Sequence, residues 1–236
     1  MSFMSAWENI NIMKVLIIII SACYVLTASS NAQTLQWDST YRPSSYAMRV
    51  SLFNNYEHSC GNIYFLGNSI TFGADWNELL VLAKARNRGI SGDITFGVLE
   101  RLEEIIKAQP FKIFILIGIN DIARNIPDSV VIHNCAIMIK RIRSGAPNTH
   151  IFIQTLLPVN NTFEQHKNHH NKDNHIAAVN EGLKKLATQT GVNLVDLHPH
   201  FLDSDGRLSK EYTSDGLHLN AMGYNLWAKL LRPYLK

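Results

Sequence analysis

The chain has 236 residues, of which 46% are hydrophobic and 17% charged, and its formal net charge is +3. This size and composition predict a globular domain with its own core, and they exclude collagen-like, coiled-coil and disordered proteins. A charge this small and dispersed argues against a nucleic-acid-binding surface. Three cysteines are too few for a disulfide framework.

The first segment of the chain resembles a bacterial export signal. Lys14 precedes an unbroken apolar run at 15–20, and the small residues at 30–32 form an A-x-A-like cleavage site. We therefore expect residues 1–32 to be a signal peptide and residues 33–236 to form a single domain. The mature protein is expected to be secreted or periplasmic.

This segment has alternatives. Its apolar run is shorter than the ~20 residues of a membrane span, which disfavours a membrane anchor. Lipidation of Cys23 would make a lipoprotein, because the residues before it resemble a lipobox; without lipidation we expect no stable membrane association. A start at Met13 fits the signal better than one at Met1. Export would permit a disulfide between Cys60 and Cys135, but their predicted positions favour two unpaired thiols.

Short apolar runs alternate with helical patterns along the rest of the chain. Five strands are predicted, the second more weakly than the others, at 62–66, 85–90, 112–117, 150–155 and 192–196. Strands separated by helices indicate βαβ units and hence an α/β protein. The expected architecture is a three-layer αβα sandwich with a central parallel sheet of about five strands.

Helical spacing of apolar residues predicts the elements between and after these strands. Their buried stripes are expected within 96–106, 130–142, 176–186 and 219–230. A helix within residues 33–60 is also expected to pack on the sheet. Its inward side chains are predicted to be Met48, Leu52 and Phe53.

A serine follows the first predicted strand, in the run Gly-Asn-Ser-Ile-Thr at 67–71. Ligands of parallel sheets bind beyond the carboxyl ends of the strands, so a hydroxyl held on this strand-to-helix turn can reach a substrate. An isolated Gly-x-Ser is more often a plain turn or helix cap. Because position 71 is Thr, the motif is not the G-x-S-x-G elbow.

Four further residues supply partners for such a serine. Asp215 and His218 are spaced so that the carboxylate can orient the imidazole, which leaves Nε2 free to take a proton. Gly92 and Asn120 follow other strands and can donate N–H groups to an oxyanion. Each has a structural alternative. Gly92 is also a turn residue, Asn120-Asp121 a helix cap, and the pair Asp215 and His218 a cap with a surface histidine. Asp121 more simply caps the segment that follows it.

Together, the blocks at 67–70, 92, 118–121 and 215–218 resemble those of the SGNH hydrolases, also called GDSL lipases or acylhydrolases, over residues 60–232. The chain is most similar to platelet-activating-factor acetylhydrolase-like and carbohydrate (sialate) O-acetylesterase members. The resemblance implies an SGNH/flavodoxin-like fold and a serine esterase that needs no metal and no cofactor.

The resemblance also implies a role for each site residue. Ser69 is expected to be the nucleophile, His218 the general base and then acid, and Asp215 the residue that orients His218. The oxyanion hole is expected to consist of the backbone amides of Ser69 and Gly92 and the side chain of Asn120.

Two neighbouring residues are candidates for substrate binding. The family has Asp where this chain has Asn68, and an Asn can make the same local hydrogen bonds without the charge. Trp76 is either a core residue or a pocket wall that stacks on a sugar.

A histidine-rich loop follows the fourth strand, with histidines at 166, 169, 170 and 175. We predict a solvated loop at the rim of the site, with substrate contact and zinc binding as alternatives. His198 and His200 are expected to be surface residues.

The expected function is hydrolysis of O-acetyl or other short-chain acyl esters through an acyl-enzyme. The substrate is expected to be a small molecule or glycan ester, for example an O-acetylated sialic acid. A lysophospholipase or thioesterase with a longer acyl preference is one alternative. An inactive glycan-binding module on the same fold is the other, and the complete set of site residues argues against it.

Overall fold

The structure is a computed structural model that describes residues 37–57 and 61–235. The predicted signal peptide, Cys23 and Cys60 lie outside the described residues. Cys135 is an unpaired, buried thiol, and its burial raises its pKa to about 12. Among the helices that the structure describes, none has both the length and the apolar character needed to cross a membrane.

The described residues form a five-stranded sheet in which all neighbouring strands are parallel. Its strands are β1 (Ile63–Gly67), β2 (Ala85–Gly89), β3 (Lys112–Leu116), β4 (His150–Gln154) and β5 (Asn193–Val195). All five predicted strands are confirmed, with ends that differ by at most one residue. Every residue of β1 and β3 is buried, as the continuous apolar runs require of central strands covered on both faces.

Helices flank this sheet, which confirms the αβα sandwich. They are α1 (Tyr46–Asn55), α2 (Ser69–Phe72), α3 (Trp76–Leu80), α4 (Thr95–Glu100), α5 (Leu102–Lys107), α6 (Ile119–Ala123), α7 (Asp128–Gly145), α8 (Asp173–Thr190) and α9 (Ala221–Leu231). Helices α4, α5 and α8 pack against α7, whereas α3 packs against α9.

The predicted inward face of the N-terminal helix is wrong in part. Phe53 is buried, but Met48 and Leu52 are exposed. Arg49 precedes Phe53 by one helical turn, and its guanidinium lies 4.8 Å from the Phe53 ring. The buried face of α1 is therefore the Arg49–Phe53 face, because cation–π contacts with the aromatic ring replace purely apolar packing there.

A row of aromatic rings crosses one face of the sheet. Phe65 of β1, Phe114 of β3 and Phe152 of β4 are in register, and adjacent ring centroids lie 5.2 and 4.5 Å apart. Trp76 stacks on Phe65 at 4.0 Å and meets Trp227 of α9 edge-on at 4.8 Å. Trp76 is 1% exposed, so of its two predicted alternatives the core residue is confirmed, and the alternative of a substrate-binding wall is not.

The strand order β2-β1-β3-β4-β5 places a topological switch point between β1 and β3. The chain leaves β1 toward β2 on one side and later returns to β3 on the other. Connections that diverge in this way open a crevice beyond the carboxyl ends of the two strands, and ligands of doubly wound sheets bind there. Ser69 follows β1 and Asn120 follows β3, so both lie at this crevice.

Candidate active site

The serine turn is fixed by contacts that need small residues. The Oδ1 atom of Asn68 accepts a hydrogen bond from the backbone N–H of Ile70 at 3.0 Å, which caps α2. A side chain at Gly67 would lie 2.3 Å from the Leu116 carbonyl oxygen, so only glycine lets β1 run this close to β3. Ser69 is therefore the first residue of a short helix held against the sheet.

Asn68 is a structural residue of this turn. It is 1% exposed and is not among the residues that line the neighbouring cleft. Its prediction as a substrate-binding residue is therefore wrong. The hydrogen bond from Ile70 shows that an amide at this position makes a local contact through its oxygen.

Ser69, His218 and Asp215 form a continuous hydrogen-bonded chain. The Nε2 atom of His218 lies 3.0 Å from Ser69 Oγ, and its Nδ1 atom lies 2.7 Å from Asp215 Oδ2. The structure thus brings together two segments that are 149 positions apart in sequence. This is the geometry in which an imidazole can take a proton from a serine hydroxyl.

Asp215 is held as an anion by its surroundings. Partial burial would raise its pKa, but hydrogen bonds from the His218 imidazole and from the backbone N–H groups of Leu217 and His218 outweigh burial. The pKa of Asp215 is consequently well below its ordinary value. A carboxylate in this state stabilises an imidazolium ion at His218.

The predicted oxyanion donors line the same cleft as Ser69. Gly92 has a backbone φ of +80°, a conformation that favours glycine, and its N–H has no acceptor among the described residues. The N–H of Ser69 has no intrahelical acceptor because Ser69 begins α2. Asn120 Nδ2 donates to the Asp93 carbonyl oxygen at 2.9 Å, and a side-chain amide has a second N–H to offer.

A buried ion pair fixes Asp93, the residue whose carbonyl oxygen accepts the hydrogen bond from Asn120. Arg101 Nε lies 2.9 Å from Asp93 Oδ2, and both side chains are at most 2% exposed. The other nitrogens of Arg101 donate to the carbonyl oxygens of Arg88 and Gly67 at 2.9 and 3.0 Å. One guanidinium therefore connects the ends of β1 and β2 to the residue that bonds Asn120.

Asp121 caps a different helix from the one predicted. Its carboxyl group accepts hydrogen bonds from the backbone N–H and the hydroxyl of Thr95, at the start of α4. Among the described residues, no group of the segment after Asp121 donates to this carboxyl. Burial raises the pKa of Asp121 to about 7, although the Thr95 hydrogen bonds oppose the shift.

The histidine-rich loop contributes two side chains to the site. His169 is buried and its Nε2 atom lies 3.1 Å from Asn120 Oδ1. His166 Nε2 lies 3.1 Å from Asp215 Oδ2, and its ring meets that of His218 edge-on at 4.8 Å. The predicted solvated rim is therefore wrong for His169, which sequence reasoning did not separate from its neighbours.

The other loop histidines bind elsewhere. His170 Nε2 contacts the Gln165 carbonyl oxygen, and His175 Nδ1 contacts Asp128. The four histidines thus have four different partners and form no joint zinc site among the described residues. Ligand atoms of His166, Asp215 and His218 do lie within 4.8 Å of one another, so a metal ion there would compete with the hydrogen bonds of the triad.

These groups border an open cleft of about 380 Å³. Its lining includes Ser69, Gly92, Asn120, Arg124, His169 and His218. A serine, a base and N–H donors facing one space can carry out nucleophilic acyl transfer. The profile of the GDSL-like Lipase/Acylhydrolase family matches residues 65–226, from β1 to α9.

The chain belongs to the GDSL-like lipase/acylhydrolase family. The platelet-activating factor acetylhydrolase IB subunit alpha2 of Rattus norvegicus is 32% identical over 160 residues, which are 67% of this chain and 66% of that relative. The match therefore spans just under two thirds of the relative's length.

Solved structures share the fold of this GDSL-like chain. A protein from Streptococcus pneumonia whose structure is named after platelet activating factor is 33% identical, with a TM-score of 0.73 over 81% of this chain and 91% of that one. An acetyl xylan esterase is 18% identical, with a TM-score of 0.64 over 74% of this chain and 100% of the other. At that identity the second likeness concerns the fold alone.

Proposed function

We propose that this protein is a serine esterase that hydrolyses acetyl and other short-chain acyl esters through an acyl-enzyme. The observation that carries the proposal is the hydrogen-bonded chain from Ser69 through His218 to Asp215 in a cleft with N–H donors. Membership of a family of lipases and acylhydrolases supports the same reaction class.

In the proposed reaction, Ser69 Oγ attacks the ester carbonyl while His218 Nε2 takes its proton. The oxyanion accepts hydrogen bonds from Ser69, Gly92 and Asn120. Collapse breaks the ester bond and expels the alcohol, which His218 protonates. His218 then deprotonates a water molecule that hydrolyses the acyl-serine, and Asp215 stabilises the imidazolium ion in both halves.

The cleft favours a small acyl group and a polar alcohol. Among the described residues that line it, Ala123 and Leu217 supply aliphatic side chains, whereas most of the others are polar. Hydroxyl-rich alcohols match such walls, so an O-acetylated sugar, for example a sialic acid, is the first candidate substrate. The export signal expected at residues 1–32 would place this reaction outside the cytoplasm.

A lipid ester is the second candidate. The curated relatives are named platelet-activating factor acetylhydrolases, and that name favours an acetyl group on a lipid alcohol. Both candidates share the acetyl group and differ in the leaving group. Preference for octanoyl over acetyl p-nitrophenyl esters would instead support a lysophospholipase or thioesterase.

The test compares the wild-type protein with Ser69→Ala and Ser91→Ala, two serines that line the same cleft. We expect Ser69→Ala to lower kcat for p-nitrophenyl acetate by about 10⁴-fold or more, since the nucleophile is lost. Ser91→Ala should keep most of the activity, because no histidine of the described ranges 37–57 and 61–235 forms a hydrogen bond with Ser91. Hydrolysis unaffected by Ser69→Ala would refute the proposal, and glycan binding without hydrolysis would support the inactive module.

A further inference from the structure

Arg124 lies one helical turn beyond the oxyanion residue Asn120 and lines the same cleft. Its backbone N–H donates to the Asn120 carbonyl oxygen at 3.2 Å, so the two residues are in helical i, i+4 register. Side chains in this register share a face, with Cβ atoms about 5–6 Å apart. Arg124 therefore brings a positively charged side chain into the cleft that Asn120 lines.

The guanidinium of Arg124 is held by stacking. Its Cζ atom lies 3.0 Å from the centroid of the Tyr41 ring. Across the part of the chain that the structure describes, its nitrogens form neither an ion pair nor a hydrogen bond. Asp38 is close enough to feel its charge, but Asp38 is exposed and its carboxylate binds Thr40. Stacking fixes the plane of the guanidinium and leaves its N–H edges available.

Other arginines of this region have carboxylate partners. Arg88 pairs with Glu104, Arg101 with Asp93, and Arg42 with Glu100. By contrast, no aspartate or glutamate is among the described residues that line the cleft beside Arg124. Polar side chains on the cleft wall include those of His166, Asn168 and His169. The cleft thus offers a fixed cation without a resident anion.

We propose that Arg124 forms an anion subsite, and that the natural ester substrate carries a carboxylate or phosphate a few bonds from its scissile ester. Both groups bind a guanidinium through two parallel hydrogen bonds. The inference rests on the proposed esterase activity and specifies its substrate class. The anion would be the carboxylate of an acidic sugar or the phosphate of a phospholipid.

The first test uses two acetyl esters of similar phenols, 4-acetoxybenzoate and the neutral 4-acetoxybenzamide. The full chain is assayed as wild type, Arg124→Gln and, as a matched control, Arg143→Gln, an exposed arginine of α7 outside the cleft. We expect Arg124→Gln to lower the kcat/KM ratio of anionic to neutral ester by about tenfold, and Arg143→Gln to leave it unchanged. Because Arg124 acts by charge, 0.5 M NaCl should reduce the wild-type ratio.

The outcomes separate this inference from the esterase proposal. An equal loss on both esters in Arg124→Gln, or no loss on either, would overturn the anion subsite. Failure of the wild type on the neutral ester would instead count against the esterase itself. A second assay compares an O-acetylated sialic acid with an acetylated phospholipid as substrates. The substrate whose kcat/KM falls in Arg124→Gln supplies the anion that Arg124 binds. If kcat/KM falls for neither substrate, the subsite is refuted.

Discussion

The Nε2 atom of His169 lies 3.1 Å from the Oδ1 atom of Asn120. The Asp93 carbonyl accepts from Nδ2 of Asn120, so Oδ1 is the end that faces His169 and Nε2 must carry the proton. The Nδ1 atom of His169 lies 3.1 Å from Asn168 Oδ1, and with Nε2 protonated that amide must turn its Nδ2 toward Nδ1. Burial, together with the imidazoles of His166 and His218, lowers the pKa of His169 to about 4 and keeps it neutral at neutral pH. His169 and the Asp93 carbonyl thus hold opposite ends of the Asn120 amide, which leaves one N–H for the cleft.

Replacing His169 tests this positioning role. We expect His169→Leu to lower kcat about tenfold with little change in KM. Complete loss of an oxyanion donor costs ~10²–10³-fold in kcat, whereas here the Asn120 amide stays in place and loses only the hydrogen bond that orients it. His169→Gln retains an N–H donor and should recover most of kcat. Steady-state kinetics on p-nitrophenyl acetate measures both parameters.

His175→Leu provides the matched control, since His175 is an exposed histidine in the first turn of α8, directly after this loop, and binds Asp128. It should retain wild-type kcat. If His169→Leu were equally active, or if Leu and Gln at position 169 were equally damaging, the hydrogen bond to Asn120 would have no part in catalysis.

The buried Asp93–Arg101 pair predicts a large effect on stability. Arg101→Leu leaves the Asp93 carboxylate and the carbonyl oxygens of Gly67 and Arg88 without this partner. We expect the free energy of unfolding to fall by about 3–5 kcal/mol, as for other broken buried pairs. Urea denaturation followed by circular dichroism measures the change.

An ion pair at the surface should behave differently. Lys184 pairs with Asp196 at 3.1 Å, and both side chains are more than a third exposed. Lys184→Gln is expected to cost at most about 1 kcal/mol. Comparable losses in Lys184→Gln and Arg101→Leu would mean that burial of the Asp93 pair has no special weight.

The sequence predicted the sheet and the triad because both follow from local signals. The strands β1, β3 and β4 lie in short apolar runs, and β1 and β3 are buried on both faces. Ser69 and Asn120 directly follow strands, and parallel strands bring their carboxyl ends to one edge. Asp215 and His218 are three residues apart, so their contact needed only one turn of chain.

The loop histidines, Trp76 and Arg124 could not be assigned in this way. His169 and His170 are adjacent and chemically identical, and only the path of the loop decides which one reaches Asn120. Trp76 is equally plausible in a core or a pocket until its contact with Phe65 is known. Arg124 gains meaning from its stacking on Tyr41, a residue 83 positions earlier (124 − 41).

Asp121 predicts how stability depends on pH. Its pKa is about 7 in the folded protein and 3.8 as the ordinary value, because the carboxyl is buried. Between pH 4 and 7 the unfolded chain loses this proton while the folded chain keeps it, so the stabilisation present below pH 4 is lost as pH rises to 7. Asp121→Asn removes this titration. We expect the free energy of unfolding of the variant, relative to wild type, to increase by a few kcal/mol from pH 4 to 7, at up to about 1.4 kcal/mol per pH unit.

Urea denaturation at pH 4, 5, 6 and 7 measures this difference, with exposed Asp205→Asn as a control that should parallel the wild type. Parallel curves for Asp121→Asn and wild type would show that Asp121 ionises equally in the folded and unfolded states.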